Sequence, residues 1–328
     1  FNFKNKIFTT FINRLIQFLV WIRFSIKLLS NILFTNKKLI IIREFSTIYL
    51  FFLWPLVHIG KNKFIYIVNH NLQRAHDSIL QKLMFSFLLK IGARFIFLES
   101  SDGIEMLKIR PKKHQIIIAP FFINQKEKIS SKLSKKIDIL TYFKYYDNIL
   151  NANKLGKIIA CIPGRPSKEK GSYELARKIC ELSLIHLINQ NYIFLVSKDL
   201  FSYIIENRFM HKNIFPFYQN DGYSYEKMLR ISDIAIFNYT YRSYFYRHSG
   251  VISDCISYRT APICPKFPLL TSMLNNPNIV GLTFNEISEL NNLLTIKINH
   301  DWLRSINWNS YFNSRDVGKI ANIIYDQL

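Results

Sequence analysis

Short apolar runs alternate with amphipathic stretches along most of the chain. The runs Lys38–Ile42, Phe64–Val68, Arg94–Leu98 and Gln115–Ala119 are rich in β-branched and aromatic residues. Their length and continuity predict strands covered on both faces. Helical spacing fits between them, at Thr47–Val57, Ser78–Leu89 and Gly103–Lys108. The segment Lys126–Asp138 is polar and lysine-rich, as a connection between domains would be. The alternation restarts near Lys157. Strands are predicted at Ile158–Ile162, Tyr192–Val196, Ile214–Phe217, Asp233–Phe237 and Ala261–Cys264. Helices are predicted at Tyr173–Asn189, Tyr225–Ile231, Val251–Tyr258 and Ser314–Leu328. Strand–helix alternation implies parallel sheets with helices on both faces. The pattern predicts an α/β protein of two Rossmann-like, doubly wound domains facing a cleft, over residues 1–150 and 151–328. Ligands in such sheets bind at the carboxyl ends of the strands.

The 328 residues, 49% of them hydrophobic and 15% aromatic, suffice for two cores and argue against disorder. Cys161, Cys180, Cys255 and Cys264 form no CxxC pair, and three of them lie inside apolar runs. They read as buried small hydrophobes of a reducing compartment, not as a disulfide or zinc framework.

Charge changes the picture more. Forty-four Lys+Arg stand against 22 Asp+Glu, a net charge of +22. Either an anionic partner is implied, or the Lys-, Ile- and Asn-rich composition shifts the charge without purpose. The first 43 residues hold eight basic residues and no acid. Arg14, Arg23 and Lys27 interrupt the apolar run from Ile7 to Phe34, with eight residues between the two arginines, too few to span a bilayer. No small-residue cleavage site follows, which disfavours a secretory signal. Two readings fit: a basic, aromatic interfacial helix, and a helix buried against the first sheet. Both hold if different faces are used. The chain begins at Phe1 and shows no clear first strand, so its start is expected to be incomplete.

Three segments carry candidate chemistry. Gly164-Arg165-Pro166-Ser167-Lys168-Glu169-Lys170-Gly171 leaves one strand and enters a helix. Gly164 permits a tight exit, and Arg165 and Lys170 then stand at the strand's carboxyl end. Two cations there would stabilise charge on a leaving diphosphate. A solvated basic loop is the plainer alternative. Tyr246-Arg247-His248-Ser249-Gly250-Val251-Ile252-Ser253-Asp254 holds a capping serine and a glycine ahead of a helix. The free N–H groups near Ser249, Gly250 and Val251 favour an anion. Asp254, one turn on, could accept hydrogen bonds from both hydroxyls of a ribose. An ordinary capped helix with an exposed Asp is equally consistent with that pattern. Asn69-His70-Asn71-Leu72-Gln73-Arg74-Ala75-His76-Asp77 follows the strand Phe64–Val68. His70 can donate or accept a hydrogen bond near neutral pH, although a loop histidine is more often structural or solvated.

Taken together, these segments resemble family-four-type glycosyltransferases of the GT-B fold. GRPSKEKG is similar to that family's "GR…KG" segment, and the resemblance gives Arg165 and Lys170 the donor diphosphate. IVNHNLQRAHD resembles the "TVHNL–PHE" segment of a polysaccharide-related branch, which puts His70, Asn71 and His76 in the interdomain cleft. SGVISDCISYRTAPICP is similar to the "SGVL–EALA–G–PVIA" region, and Val280–Phe284 to "GLLF". Trp308 and the last helix resemble the segment that returns to the N-terminal domain. The likeness covers roughly residues 38–328.

Departures are specific. The family's paired glutamates fall on Tyr246 and Asp254. The usual turn glycine is replaced within Tyr258-Arg259-Thr260, and the expected "GxG" reads Ser197-Lys198-Asp199. Asp77 and Ala75 stand for the Glu and Pro of "PHE". The expected activity is transfer of a sugar from a nucleotide diphosphate donor to a lipid-linked or other glycan acceptor, at the inner face of a membrane reached through the basic N-terminal segment. The enzyme would be cytoplasmic and peripheral. No metal or other cofactor is expected, since Arg165 and Lys170 replace a metal at the leaving group and no suitable DxD pair is present. Retention of anomeric configuration is implied by the resemblance alone. The alternative is a non-catalytic GT-B-like scaffold or partner subunit. Nucleic acid is not an expected partner, because the basic residues are dispersed and no binding motif is present.

Overall fold

The computed structural model describes residues 19–20, 22–34, 39–43, 45–108, 111–126, 155–217 and 222–327. The chain divides into two compact units, Phe1–Ala119 with Asp326–Leu328, and Pro120–Tyr325.

In the first unit, four parallel strands lie in chain order: β1 (Ile40–Ile42), β2 (Phe64–Val68), β3 (Arg94–Leu98) and β4 (Ile116–Ala119). The central pair is buried almost throughout, as continuous apolar runs require. Phe85 stacks on Phe95 of β3 at 4.7 Å, joining the Ile79–Lys90 helix to the sheet. That helix is capped by Ser78, whose Oγ accepts from the Gln81 N–H. The expected helix Thr47–Val57 is two helices, Thr47–Phe52 and Trp54–Ile59. Pro55 is the cause: it has no N–H to offer the Phe51 carbonyl, and its ring clashes with that carbonyl.

Residues 22–34 are helical and serve two faces. Leu28 is buried, and Lys63 Nζ donates to the Ile32 carbonyl at 3.2 Å. Ile26, Leu33 and Phe34 are exposed beside exposed Arg23 and Lys27. Among the described residues no helix is long and apolar enough to cross a membrane. The basic positions 4, 6, 14, 37 and 38 lie outside the described residues, as does nearly all of the expected connection Lys126–Asp138.

The second unit holds β5 (Ile158–Ile162), β6 (Tyr192–Ser197), β7 (Ile214–Phe217), β8 (Ile234–Ile236), β9 (Ala261–Pro265) and β10 (Leu282–Phe284). All are parallel, in the order β7-β6-β5-β8-β9-β10. Read by position this is 3-2-1-4-5-6, the Rossmann order, and it reverses between β5 and β8. Strands β5, β6, β8 and β9 are buried at every residue. All four cysteines are free and buried. The helix predicted over Tyr173–Asn189 breaks into Ser172–Ser183 and His186–Asn191. Ser183 Oγ bonds back to the Cys180 carbonyl at 2.7 Å and accepts from the Lys212 N–H, which fixes the end of the first helix.

The division after Ala119 falls well before the expected boundary at 150. Its cause is the strip Pro120–Lys126, which is tied to the second unit. Arg315, fully buried, donates to the Phe121 carbonyl at 3.1 Å and to the carbonyls of Met273 and Asn276. The Phe121 ring stacks on His248 at 3.9 Å, and Lys126 N–H donates to the Ser257 carbonyl. At the other end of the chain, the Gln327 amide meets the main chain of Ile118 on β4, both within the first unit.

Candidate functional site

The site lies in the second unit, where its strand order reverses. β5 exits through Gly164, whose φ of +86° puts it in the left-handed region. A Cβ built there would stand 3.4 Å from Lys170 Nζ and 3.7 Å from Val251 Cγ2. One backbone position therefore sees both the Lys170 ammonium and the start of the Gly250–Ser257 helix. The loop between is folded on itself. Ser167 Oγ accepts from Lys170 N–H, Ser172 Oγ accepts from Ser167 N–H, and Lys170 Nζ donates to the Arg165 carbonyl at 3.1 Å. Pro166 and these three hydrogen bonds leave this loop little freedom. Arg165 itself is exposed.

The exit of β8 is bound to the same loop. Thr240 donates to the Glu169 carbonyl through both its N–H, at 3.2 Å, and its Oγ1, at 2.8 Å. Gly171, at φ +58°, is pressed against Asn238, and a Cβ there would overlap the Asn238 carbonyl oxygen. Glycine is thus required twice, by conformation and by space.

Ser249 caps the Gly250–Ser257 helix, its Oγ accepting from Ile252 N–H at 3.3 Å. The same Oγ shares a 2.7 Å hydrogen bond with the buried Tyr239 hydroxyl, and Tyr239 stacks on Tyr244 at 3.9 Å. This shelf holds the helix mouth in place. The N–H groups of Gly250 and Val251 have no partner among the described residues, and nothing lies within 4 Å of a Cβ built at Gly250. Two backbone donors thus stand unpaired among the described residues at the positive end of a helix, with open space beside Gly250.

Arg247 was not singled out by the sequence pattern, yet it belongs to this cluster. Its guanidinium lies 5.0 Å above the Tyr244 ring. Its Nε is buried without a hydrogen-bond partner among the described residues. The Lys170 pKa is held below the usual lysine value, first by burial and then by the Arg247 charge, with Glu169 opposing. An arginine ahead of a capping serine carries no periodic signature. Only the fold brings it to Lys170.

Asp254 stands one turn into the helix and has found a protein partner. The Tyr225 hydroxyl donates to its Oδ2 at 3.3 Å. Burial raises its pKa, against the pull of Lys126 and of that hydroxyl. Its Oδ1 has no hydrogen-bond partner among the described residues. The turn that follows lacks the expected glycine but keeps its geometry. Arg259 takes φ +56°, with Thr260 N–H bonded to the Cys255 carbonyl and Arg259 N–H to the Ile256 carbonyl. This is a Schellman ending with arginine at the glycine position. At Ser197-Lys198-Asp199 the structure has no turn. Ser197 caps a helix, Lys198–Glu206, that begins directly after β6.

The remaining sequence-predicted residues lie in the first unit, after β2. His70 precedes the Asn71–Asp77 helix as its N-cap residue. Asn71 is buried, and its amide donates to the Phe45 carbonyl and to Thr47 Oγ1. Its side chain is therefore spent inside the unit. The His76 ring nitrogen Nδ1 lies 3.0 Å from Asp77 Oδ1 on the exposed side of the helix. Among the described residues no three His, Cys, Asp or Glu side chains gather as a metal site.

No protein-family model and no curated protein sequence matches the chain. Solved structures do. HepE from Anabaena in complex with UDP-glucose aligns over 88% of this chain and 77% of its own, at 12% identity and a TM-score of 0.58. The α,α-trehalose-phosphate synthase (UDP-forming) of Burkholderia xenovorans, in complex with glucose-6-phosphate, covers 94% of this chain and 78% of its own, at 11% identity and a TM-score of 0.61. Sucrose-phosphate synthase from Thermosynechococcus elongatus covers 94% and 76%, at 13% identity and a TM-score of 0.59. These neighbours are glycosyltransferases of the GT-B fold, and with its two parallel-sheet α/β units the chain shares that fold.

Proposed function

We propose that the protein is a glycosyltransferase that takes a sugar from a nucleoside diphosphate carrier. The observation that carries this reading is the meeting, at the switch point between β5 and β8, of the Lys170 ammonium with two free backbone donors at Gly250 and Val251. In the reaction the sugar–phosphate bond breaks and negative charge builds on the departing diphosphate. Lys170 and Arg165 stabilise that charge, and the Gly250 and Val251 N–H groups add preorganised donors that need no rearrangement as it develops. Gly164 leaves room for the phosphates to approach the main chain. Asp254 holds the ribose with the oxygen that Tyr225 leaves free. His70 positions the donor sugar or the acceptor. The charge stabilisation comes from protein cations, so the transfer proceeds without a metal ion. Retention of configuration follows only if the resemblance to the family-four pattern extends to mechanism.

A screen of UDP-, GDP- and ADP-sugars, followed by turnover of an Arg165→Ala/Lys170→Ala double variant, tests the assignment. Loss of about 10²–10³ in rate is expected for removing charge-stabilising groups of this kind. Unchanged turnover would refute it.

The acceptor is proposed to be a lipid-linked glycan, with the enzyme peripheral on the cytoplasmic face of a membrane. Exposed Ile26, Leu33 and Phe34 beside Arg23 and Lys27 suit an anionic bilayer. Flotation with anionic and with neutral liposomes is the check. Binding that ignores lipid charge removes this part of the proposal. A non-catalytic GT-B-like subunit is the second reading. It is favoured by one observation, that Tyr246 stands where the family pattern has a glutamate. Nucleotide-sugar binding without hydrolysis or transfer would select it.

A further inference from the structure

We infer that Arg247 is a third cation of the diphosphate site, gripping phosphate oxygens together with Lys170. The inference rests on the reading of this site as the place where a nucleoside diphosphate binds. Four observations carry it. Arg247 sits on the turn that leads directly into Ser249 and the open donors of Gly250 and Val251. Lys170 Nζ and Val251, on the helix that Arg247 leads into, both lie within 4 Å of a Cβ built at Gly164, so two cations from distant parts of the chain border one region. Its Nε is buried and has no partner, and no carboxylate pairs with it among the described residues. Tyr244, itself clamped by Tyr239, fixes the guanidinium from one side only and supplies no anion.

Such an arrangement is unfavourable unless an anion is bound. Like charges oppose each other there, and a guanidinium N–H is withheld from water without compensation. A ligand with closely spaced negative oxygens relieves both penalties at once. The planar fork of arginine suits phosphate better than a second lysine would. A carboxylate sugar substituent could meet one cation, but only a diphosphate has oxygens enough to meet Lys170, Arg247 and the helix mouth together.

The test uses UDP and inorganic pyrophosphate as probes in calorimetric titrations of the intact protein. Arg247→Met is expected to weaken both by a like factor of about 10- to 100-fold, the range for charge-assisted hydrogen bonds, and Arg247→Lys to recover only part. The pH at which affinity falls should rise in Arg247→Met, because Lys170 no longer feels its neighbour, and an unmoved pH would show that the two charges do not share the site. If Arg247→Met binds both probes as the parent does while Lys170→Met loses them, the inference fails and the diphosphate site stands. If the parent binds neither probe, both fall. Should Arg247→Met not fold, phenylglyoxal labelling of the parent mapped by mass spectrometry decides. Protection of Arg247 by pyrophosphate supports the inference, and unchanged labelling of Arg247 overturns it.

Discussion

Replacing Gly171 by alanine isolates the close approach on which the site depends. Two penalties are expected. The residue must hold φ +58°, which costs an L-amino acid about 1–2 kcal/mol. Its Cβ must also displace the Asn238 carbonyl, a main-chain atom just beyond β8 that cannot rotate away. Forcing such an overlap costs about 1–3 kcal/mol. The sum is about 2–5 kcal/mol, which for a unit of this size lowers Tm by about 5–15 °C. Gly156 supplies the control. It has φ +71°, but a Cβ there meets nothing within 4 Å. Gly156→Ala should therefore cost only the conformational part, about 1–2 kcal/mol and a few degrees. Differential scanning calorimetry of the two variants reads the difference, and UDP titration reads its consequence. Because Glu169 and Thr240 are hydrogen-bonded beside that contact, Gly171→Ala should also weaken the probe, whereas Gly156→Ala should not. Equal melting temperatures for the two variants would show that Asn238 yields freely, and the argument for a rigid junction would be lost.

Other perturbations have equally definite outcomes. Arg315→Met leaves the carbonyls of Phe121 and Asn276 without their donor, while Met273 keeps the Tyr311 hydroxyl. At about 1–3 kcal/mol for each carbonyl that loses its charged donor, urea unfolding should show a loss of about 2–6 kcal/mol. Arg259→Gly removes left-handed strain at the end of the Gly250–Ser257 helix and loses an exposed hydrogen bond to Asn309, so Tm should rise by about 1–3 °C. Burial and the Arg247 charge hold the Lys170 pKa below the usual lysine value, and a bound anion favours its charged form. Pyrophosphate affinity should then be full below that pKa and fall as pH rises through it, before the usual lysine range is reached. Pyrophosphate titrations that show the decline only above pH 10.5 would contradict the burial and the Arg247 effect.

The strands were the most legible part of the sequence. β2, β3, β5 and β7 have the limits their apolar runs suggested; in β2 and β5 near-complete burial leaves no charged residue to blur the ends. Helix limits were less legible wherever a local bond outweighed periodicity, as at Pro55 and Ser183. The Lys198–Glu206 helix was hidden because Ser197-Lys198-Asp199 resembles a departure from a turn motif, while physically Ser197 is a cap. Arg259 shows the converse. The turn survives without glycine because the two Schellman hydrogen bonds hold it. At the site, Gly164, Lys170 and the Ser249 cap could be read locally. The role of Arg247 could not, since nothing in its neighbours in sequence points to Lys170. Asp254 was legible as a charge on a helix face, but its partner Tyr225 comes from another helix.

The strip Pro120–Lys126 has a practical consequence for dissecting the protein. A fragment that starts at 151 would keep Arg315 but surrender one of its three acceptors, and would bare the face of His248 that Phe121 covers. His248 lies between Arg247 and Ser249, so the damage would land beside the proposed diphosphate site although the cut was made far away in sequence. Surgical separation should respect Ala119, and any recombinant second half needs its seven-residue leader from Pro120 to Lys126 to arrive with an intact pocket.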